Sequence, residues 1–316
     1  MKAARLTPDK NDKVEYMSMR EKMMCNVFVN SQRNIPPVTC IYDADVTKLT
    51  EAFNRLRADC GYKLTLNTLI IRILVEGLKA APRLNAHYQY NHFSDSGRLV
   101  IKKNIDLSMA VCTKDGATHQ VKLRNLENKS LREISDLAAS ARERLETAEL
   151  DDVMFEVSRQ RILGEMSHGR ILSPLCQSLS AAFGKGKVVY LSKTLKSDFM
   201  KIFGKKEIQP ESSVKMEEMN EGTVCITNWG SLYDKLNVEI VRIPLLYPQV
   251  FLLGVGRLRT EKYAYEDENG NVRLDTKQVL PLSLNFDHKI GGASELIPFI
   301  KKLDEILEDP EVIYNW

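Results

Sequence analysis

Leu280-Pro281-Leu282-Ser283-Leu284-Asn285-Phe286-Asp287-His288-Lys289-Ile290-Gly291-Gly292 is the stretch on which the fold turns. Leu280, Leu282, Leu284 and Phe286 recur at every second position, the period of a strand with one apolar face. Continuing that phase puts His288 on the same face, so the spacing predicts a strand over 280–288 carrying an imidazole inward at its end. Gly291 and Gly292 permit a tight turn, and Leu296, Phe299, Ile300, Leu303, Ile306 and Leu307 follow at helical spacing. A titratable ring at the inner end of a strand suits a general base in a sheltered cleft. It also suits a core histidine with a satisfied hydrogen bond, and spacing alone favours that plainer reading.

Upstream of this stretch, strands are predicted over 224–229 and 250–255, and Asp267-Glu268-Asn269-Gly270-Asn271 reads as a hairpin turn. Nearer the N-terminus the pattern predicts a polar arm over 1–16, a helix over 17–33 and a strand over 38–46. A helix follows over 47–59 with Thr47 as its N-cap, and another over 65–80 that ends before Pro82. Turn-rich residues 84–97 lead to a strand pair, 98–101 with 105–112, and a turn at Lys114-Asp115-Gly116. A charged helix with an apolar stripe of Leu131, Ile134, Leu137 and Leu145 is expected over 130–150. Long helices mixed with many strands indicate a two-layer α+β or α/β fold, a mixed sheet flanked by helices.

Residues 156–220 stand apart as an inserted, largely helical segment. Within 184–206 there are seven lysines, Lys185 and Lys206 being the outermost, against the single acid Asp198. Such a segment suits contact with an anionic membrane surface or with phosphates; a solvated face on an inserted subdomain is the plainer alternative.

The 316 residues are 43% hydrophobic and carry a net charge of +3, enough apolar material for a substantial core and no basic excess that would point to nucleic acid. Cys25, Cys40, Cys60, Cys112, Cys176 and Cys225 form no CxxC pair and no metal-spaced cluster, so no metal is expected and the thiols suit a reducing compartment. The N-terminus has no apolar signal core and the most apolar stretch, 64–81, contains Arg72, Glu76 and Lys79. A cytoplasmic location is the expectation.

Several short motifs, in order, resemble one family. Met17-Ser18-Met19-Arg20-Glu21-Lys22-Met23 is similar to its opening helix, and Ile35-Pro36-Pro37-Val38-Thr39 to its entry into the first strand. Pro82-Arg83-Leu84-Asn85-Ala86 is similar to its P-x-L-N-A, and Gly222-Thr223-Val224-Cys225-Ile226-Thr227-Asn228-Trp229-Gly230 to its GTFTISNLG. Pro248-Gln249-Val250 and Gly254-Val255-Gly256-Arg257 match its PPQVAILGVGR, and Leu282-Ser283-Leu284-Asn285-Phe286-Asp287-His288-Lys289 its LSLSFDHR. The chain thus resembles the catalytic core of the dihydrolipoyl acyltransferases of 2-oxo acid dehydrogenase complexes, which share a fold with chloramphenicol acetyltransferase. The resemblance covers nearly all of the catalytic domain expected over 17–316, apart from the insertion at 156–220.

The resemblance implies a CoA-dependent acyltransferase, with coenzyme A or an acyl-CoA as substrate and a thiol, amine or hydroxyl as acceptor. It implies a homotrimer, open to larger assembly, whose sites lie between subunits. His288 of one copy would be the general base and the Thr227 hydroxyl of its neighbour would stabilise the oxyanion; Arg20, Asp287 and Asn228 would be structural or orienting. No lipoyl attachment site is expected in this chain, so a lipoyl carrier would act in trans.

Two departures from the family stand out. Where the family carries an aspartate after the histidine, in DHRxxDG, this chain reads His288-Lys289-Ile290-Gly291-Gly292 and is one residue short. Arg20 is then left without its expected partner, and Asp287 or Glu295 could supply the carboxylate. Gly116-Ala117-Thr118-His119-Gln120-Val121 replaces an apolar family segment, which implies a remodelled acceptor side; there His119 is either a binding residue or simply exposed. A non-catalytic trimeric scaffold or ligand-binding homologue, which kept the fold after losing the aspartate, is the alternative.

Overall fold

The structure, a computed structural model, describes residues 8–17, 19–91, 94–112, 118–147, 222–232, 238–239 and 241–316. The expected turn at 114–116 and the insertion at 156–220 lie outside the described residues. The chain divides into two compact units, one of residues 1–27 with 149–210, the other of 28–148 with 211–316. What is described of the first is an irregular arm over 8–17, with a turn in which the Asp12 amide donates to Asp9 O, and the start of helix α1 (Met19–Asn34), whose later residues belong to the second unit.

The second unit is built on a mixed sheet. Its strands, in chain order, are β1 (Pro37–Asp45), β4 (Leu107–Cys112), β5 (Thr118–Leu123), β6 (Val224–Asn228), β7 (Phe251–Val255), β8 (Arg259–Glu266) and β9 (Val272–Asp287). Across the sheet the order is β1-β9-β7-β6-β4-β5. β9 runs antiparallel to β1 and β7, while β6 is parallel to both β7 and β4. β8 pairs with the outer half of β9, the half that β7 does not reach. A separate two-stranded ribbon joins β2 (Ala86–Asn91) to β3 (Ser96–Ile101).

The alternation read in the sequence sets the sheet's two faces. Leu282, Leu284 and Phe286 of β9, with Phe251, Leu253 and Val255 of β7, form the apolar face. It is covered by α2 (Thr47–Asp59), α3 (Leu66–Ala80) and α5 (Ile297–Glu308). Phe299 of α5 meets Phe251 edge-on with ring centroids 5.1 Å apart. Each such buried ring or Leu stabilises the fold by about 1.5–3 kcal/mol. α3 is buried over most of its length because β-branched and leucine side chains occupy every face. Its one deeply placed charge, Arg72, is paired with Glu76 one turn on at 2.7 Å. α4 (Leu131–Thr147) packs beside α3.

The opposite face carries Cys225, Thr227, Ser283 and Asn285. The irregular run 241–249 and the end of α1 cover it, with Ile35, Leu245, Cys225 and Leu252 as a small apolar cluster.

Three expectations need correction. β3 pairs with β2, not with the strand that begins after Ile105; that strand, β4, pairs with β5 and β6. Thr47 is the first helical residue of α2 and not its cap; the carboxylate of Asp45 accepts from the Thr47 amide at 3.1 Å and from its hydroxyl at 2.6 Å. At α3 a threonine does cap, since Thr65 Oγ1 accepts from the Thr68 amide. His119, expected to be a binding residue or simply exposed, is buried within β5, which rules out the second of these. The hairpin turn at 267–271 forms as read, closed by the Asp267 amide donating to Asn271 O.

Candidate active site

β9 ends at Asp287, and His288 opens a short 3-10 turn over His288–Ile290. The expected inward imidazole is therefore corrected: in the single chain the His288 ring is exposed at the strand's end. The cause is local. Asp287 turns its carboxylate onto the Lys289 amide, which donates to Oδ1 at 3.0 Å, and this caps the turn and takes His288 out of the strand's phase. The His288 amide still donates to Pro36 O at 3.0 Å, tying the start of the turn to the entry of β1.

His288 Nδ1 lies 3.0 Å from Gly291 O. A carbonyl can only accept, so in the neutral ring Nδ1 carries the proton and Nε2 presents its lone pair. Phe286 approaches the ring edge-on at 6.3 Å. Gly291 has φ +146°, which side chains rarely tolerate, and a Cβ there would stand 2.5 Å from Glu295 Cγ. Glu295 pairs with Arg83, Nε to Oε2 2.9 Å, and the other arm of the same guanidinium donates to Ile290 O at 2.6 Å.

Asp287 is 1% exposed, and burial raises its pKa against the opposing influence of the Lys289 amide and of the Lys289 and His288 charges. Lys289 Nζ lies 3.8 Å from Asp287 Oδ2, contacts Asn34 O, and sits 4.8 Å from the centroid of the Tyr88 ring.

Thr227 lies elsewhere on the sheet. It is 8% exposed on the polar face, in register with Gly254 and, through it, with Ser283. Among the described residues its hydroxyl makes no hydrogen bond. Beside it Asn285 Oδ1 accepts from Thr39 Oγ1 at 2.8 Å, and Asn285 Nδ2 donates to Ser283 Oγ at 3.0 Å. Ser283 Oγ in turn donates to Val241 O at 2.6 Å. Cys225, two residues before Thr227, is buried and its thiol is pushed up to about 12, so it is no nucleophile.

His288 and Thr227 do not meet within one chain. His288 is five residues beyond Ser283, which is about 17 Å along β9, and Thr227 lies two strand spacings, about 10 Å, to the side. Asn228 faces the helices, donating to Asn67 Oδ1 at 2.8 Å and accepting from the Ser231 amide at 2.9 Å; it fixes the helical turn Trp229–Leu232 that follows β6. It also lines a cleft of about 710 Å³ with Thr65, Asn67 and Ser231. Arg20 lies in α1, and its side chain is outside what is described.

Arg83 was not singled out in the sequence. It occupied the variable position of the quoted P-x-L-N-A run, and nothing local marks it as a partner of a carbonyl 207 residues away. Among the described residues no group of three or more His, Cys, Asp or Glu could hold a metal ion, and no helix is long and apolar enough to cross a membrane.

The architecture is that of the acyltransferase cores. The structure of the dihydrolipoamide acetyltransferase of Azotobacter vinelandii, studied for the role of a serine, a histidine and an asparagine in its mechanism, matches with a TM-score of 0.62 at 19% identity. That match covers 98% of this chain and 99% of that one. The cubic core of the pyruvate dehydrogenase multienzyme complex matches at 0.61 with 20% identity, covering 98% and 99%. By a match over residues 8–177 and 206–314, the chain belongs to the family of 2-oxoacid dehydrogenases acyltransferase (catalytic domain). The acetyltransferase component of the Bacillus subtilis pyruvate dehydrogenase complex is 24% identical over 307 residues, 95% of this chain and 51% of that protein. The chain spans about half the length of the curated relatives it matches.

Proposed function

We propose that the chain transfers an acyl group between a coenzyme A thioester and a thiol, amine or hydroxyl acceptor, with His288 as general base. The observation that carries this reading is the Nδ1 to Gly291 O contact, which leaves Nε2 as the basic nitrogen on an exposed ring. With a thiol acceptor, Nε2 takes the thiol proton as the sulfur attacks the thioester carbonyl carbon. A new C–S bond forms and the carbonyl electrons pass to oxygen. The Thr227 hydroxyl, which has no other partner among the described residues, donates to that oxyanion. Collapse breaks the bond to the coenzyme A sulfur, which leaves as a thiolate and recovers the proton from Nε2. No covalent acyl-enzyme is needed.

Because the two groups lie far apart in one chain, this chemistry requires His288 of one copy to face Thr227 of another. A homotrimer is the proposed assembly. The β8–β9 ribbon supports it: Ala264, Val272 and Leu274 share one face, and Val272 and Leu274 are 69% and 77% exposed. A relative of this fold forms a cubic core, so larger assembly belongs to the same proposal. A dihydrolipoyl group would be one thiol donor.

The test is coenzyme A release from a panel of acyl-CoAs with dihydrolipoamide, small amines and alcohols as acceptors. His288→Ala is expected to lower turnover roughly 10²- to 10⁴-fold with the fold intact by circular dichroism. Thr227→Val is expected to lower kcat about a hundredfold or more, with Thr227→Ser restoring most of it. Turnover in His288→Ala equal to that of the unmodified chain would take the ring out of the reaction.

A further inference from the structure

We infer that Arg83 and Glu295 together are the positioning residues that lock the His288 ring in its reactive tautomer, an assignment that rests on the acyl-transfer reading. Among the described residues the ring is held by one oxygen, Gly291 O, and that oxygen belongs to a turn whose course is set by its neighbours. Two contacts fix it. Arg83 donates through its terminal nitrogen to Ile290 O, the carbonyl just before Gly291. The Glu295 side chain occupies the space over Gly291, where a Cβ would stand 2.5 Å from Cγ and 2.9 Å from Oε1. The two are one device, because Arg83 Nε pairs with Glu295 Oε2 at 2.9 Å.

The planar fork suits this double role. One arm engages a carboxylate and the other a carbonyl, in a fixed relative geometry that an ammonium does not provide. The pair is well placed for orientation and poorly placed for stability. Arg83 is half exposed and Glu295 a quarter exposed, and ion pairs at such sites add little to folding. Its effect is therefore expected in the chemistry of the ring.

The arrangement also accounts for the glycine at 291. Its φ of +146° and the overlying Glu295 side chain both exclude a larger residue. A carboxylate at 291 itself would be strained by that φ and would displace the Glu295 side chain, whereas the space beside Gly292 is open. Glu295, reaching back from four residues on, brings one to the same turn from outside. Asp287, the other nearby carboxylate, is engaged with the Lys289 amide instead.

The experiment uses the whole chain with histidines labelled with ¹⁵N. The His288 signals are identified by their loss in His288→Asn, and the ring tautomer is read from long-range ¹H–¹⁵N correlations at a pH where the ring is neutral. The unmodified chain is expected to carry its proton on Nδ1. In Arg83→Ala and Glu295→Gln the proton is expected to move toward Nε2, the preference of an unconstrained imidazole, with the melting temperature unchanged. kcat should fall roughly ten- to a hundredfold, the scale of a misplaced catalytic group, with KM for acyl-CoA unchanged. Arg83→Lys, which keeps the charge and loses the fork, should fall between. An unmoved tautomer in both variants, or a change confined to KM, overturns the assignment. A tautomer that shifts as expected in a chain showing no turnover with any acceptor supports the positioning role and overturns the acyl-transfer reading instead.

Discussion

Asp287 shows how one buried carboxylate can serve a turn at a cost that depends on pH. Its pKa is raised by burial, so the folded chain binds its proton more tightly than the unfolded chain does. A group of that sign favours the fold at low pH. Its contribution is lost as the pH rises from the ordinary carboxylate value of about 3.9 through the raised one. Asp287→Asn keeps an oxygen for the Lys289 amide and has no proton to release. Urea unfolding of both proteins at pH 4 and pH 7 should show the variant gaining on the unmodified chain at the higher pH. A stability difference that is the same at both values would mean that burial does not govern this carboxylate. At His288 the decisive quantity is which nitrogen bears the proton, and that rests on backbone geometry at Gly291 that residue spacing does not encode.

At the scale of elements, the site's strands are held in place by close approaches. Gly230, in the turn after β6, has room for no side chain: a Cβ would lie 2.1 Å from Gly256 O and 2.6 Å from Gly256 C. Both partners are backbone, so nothing can rotate aside. Gly230→Ala is expected to destabilise the fold by about 1–3 kcal/mol or more by overpacking, measured as a lowered urea midpoint, and to shift Thr227 with the end of β6. An unchanged midpoint would show that the turns after β6 and β7 are free to separate.

The elements legible in the sequence were those with a buried face. The second half of β9, and β6 and β7, advertise themselves by apolar content, and α3 by its apolar length and the Pro82 that follows it. In β8 and the first half of β9 the alternation is short and neither side is buried, with Ala264, Val272 and Leu274 on one side and Tyr263 and Tyr265 on the other, so only the turn between them stood out. β2, with His87, Tyr88 and Tyr90, read as turn for the same reason. The exposure of His288 was missed because periodicity extends a strand until something stops it, and here the stop is a side chain of Asp287 bonding to a backbone amide. The Arg83 and Glu295 contact was hidden because it joins distant parts of the chain, and charged residues on a turn are ordinarily solvated.

For the whole molecule, the expectation concerns the exposed apolar strip of the β8–β9 ribbon. Val272 and Leu274 are largely uncovered within the chain, and paired strands with such a face seek another surface. Leu274→Glu should dissociate the proposed trimer, read as a change of mass by light scattering. Turnover should be lost with it, although neither reacting group is touched. A Leu274→Glu chain that stays trimeric and active would move the interface elsewhere.

β9 is 16 residues long, about 50 Å if extended, with its bare ribbon at one end and the histidine turn at the other. A continuous hydrogen-bonded strand is stiff along its axis. In the proposed assembly, quaternary contact and proton transfer would share a single girder: whatever seats the far tip would also set the height at which the imidazole is offered to the neighbouring copy. Monomers released during synthesis would then be chemically silent, and a thioester would be cleaved only after partners have been gathered.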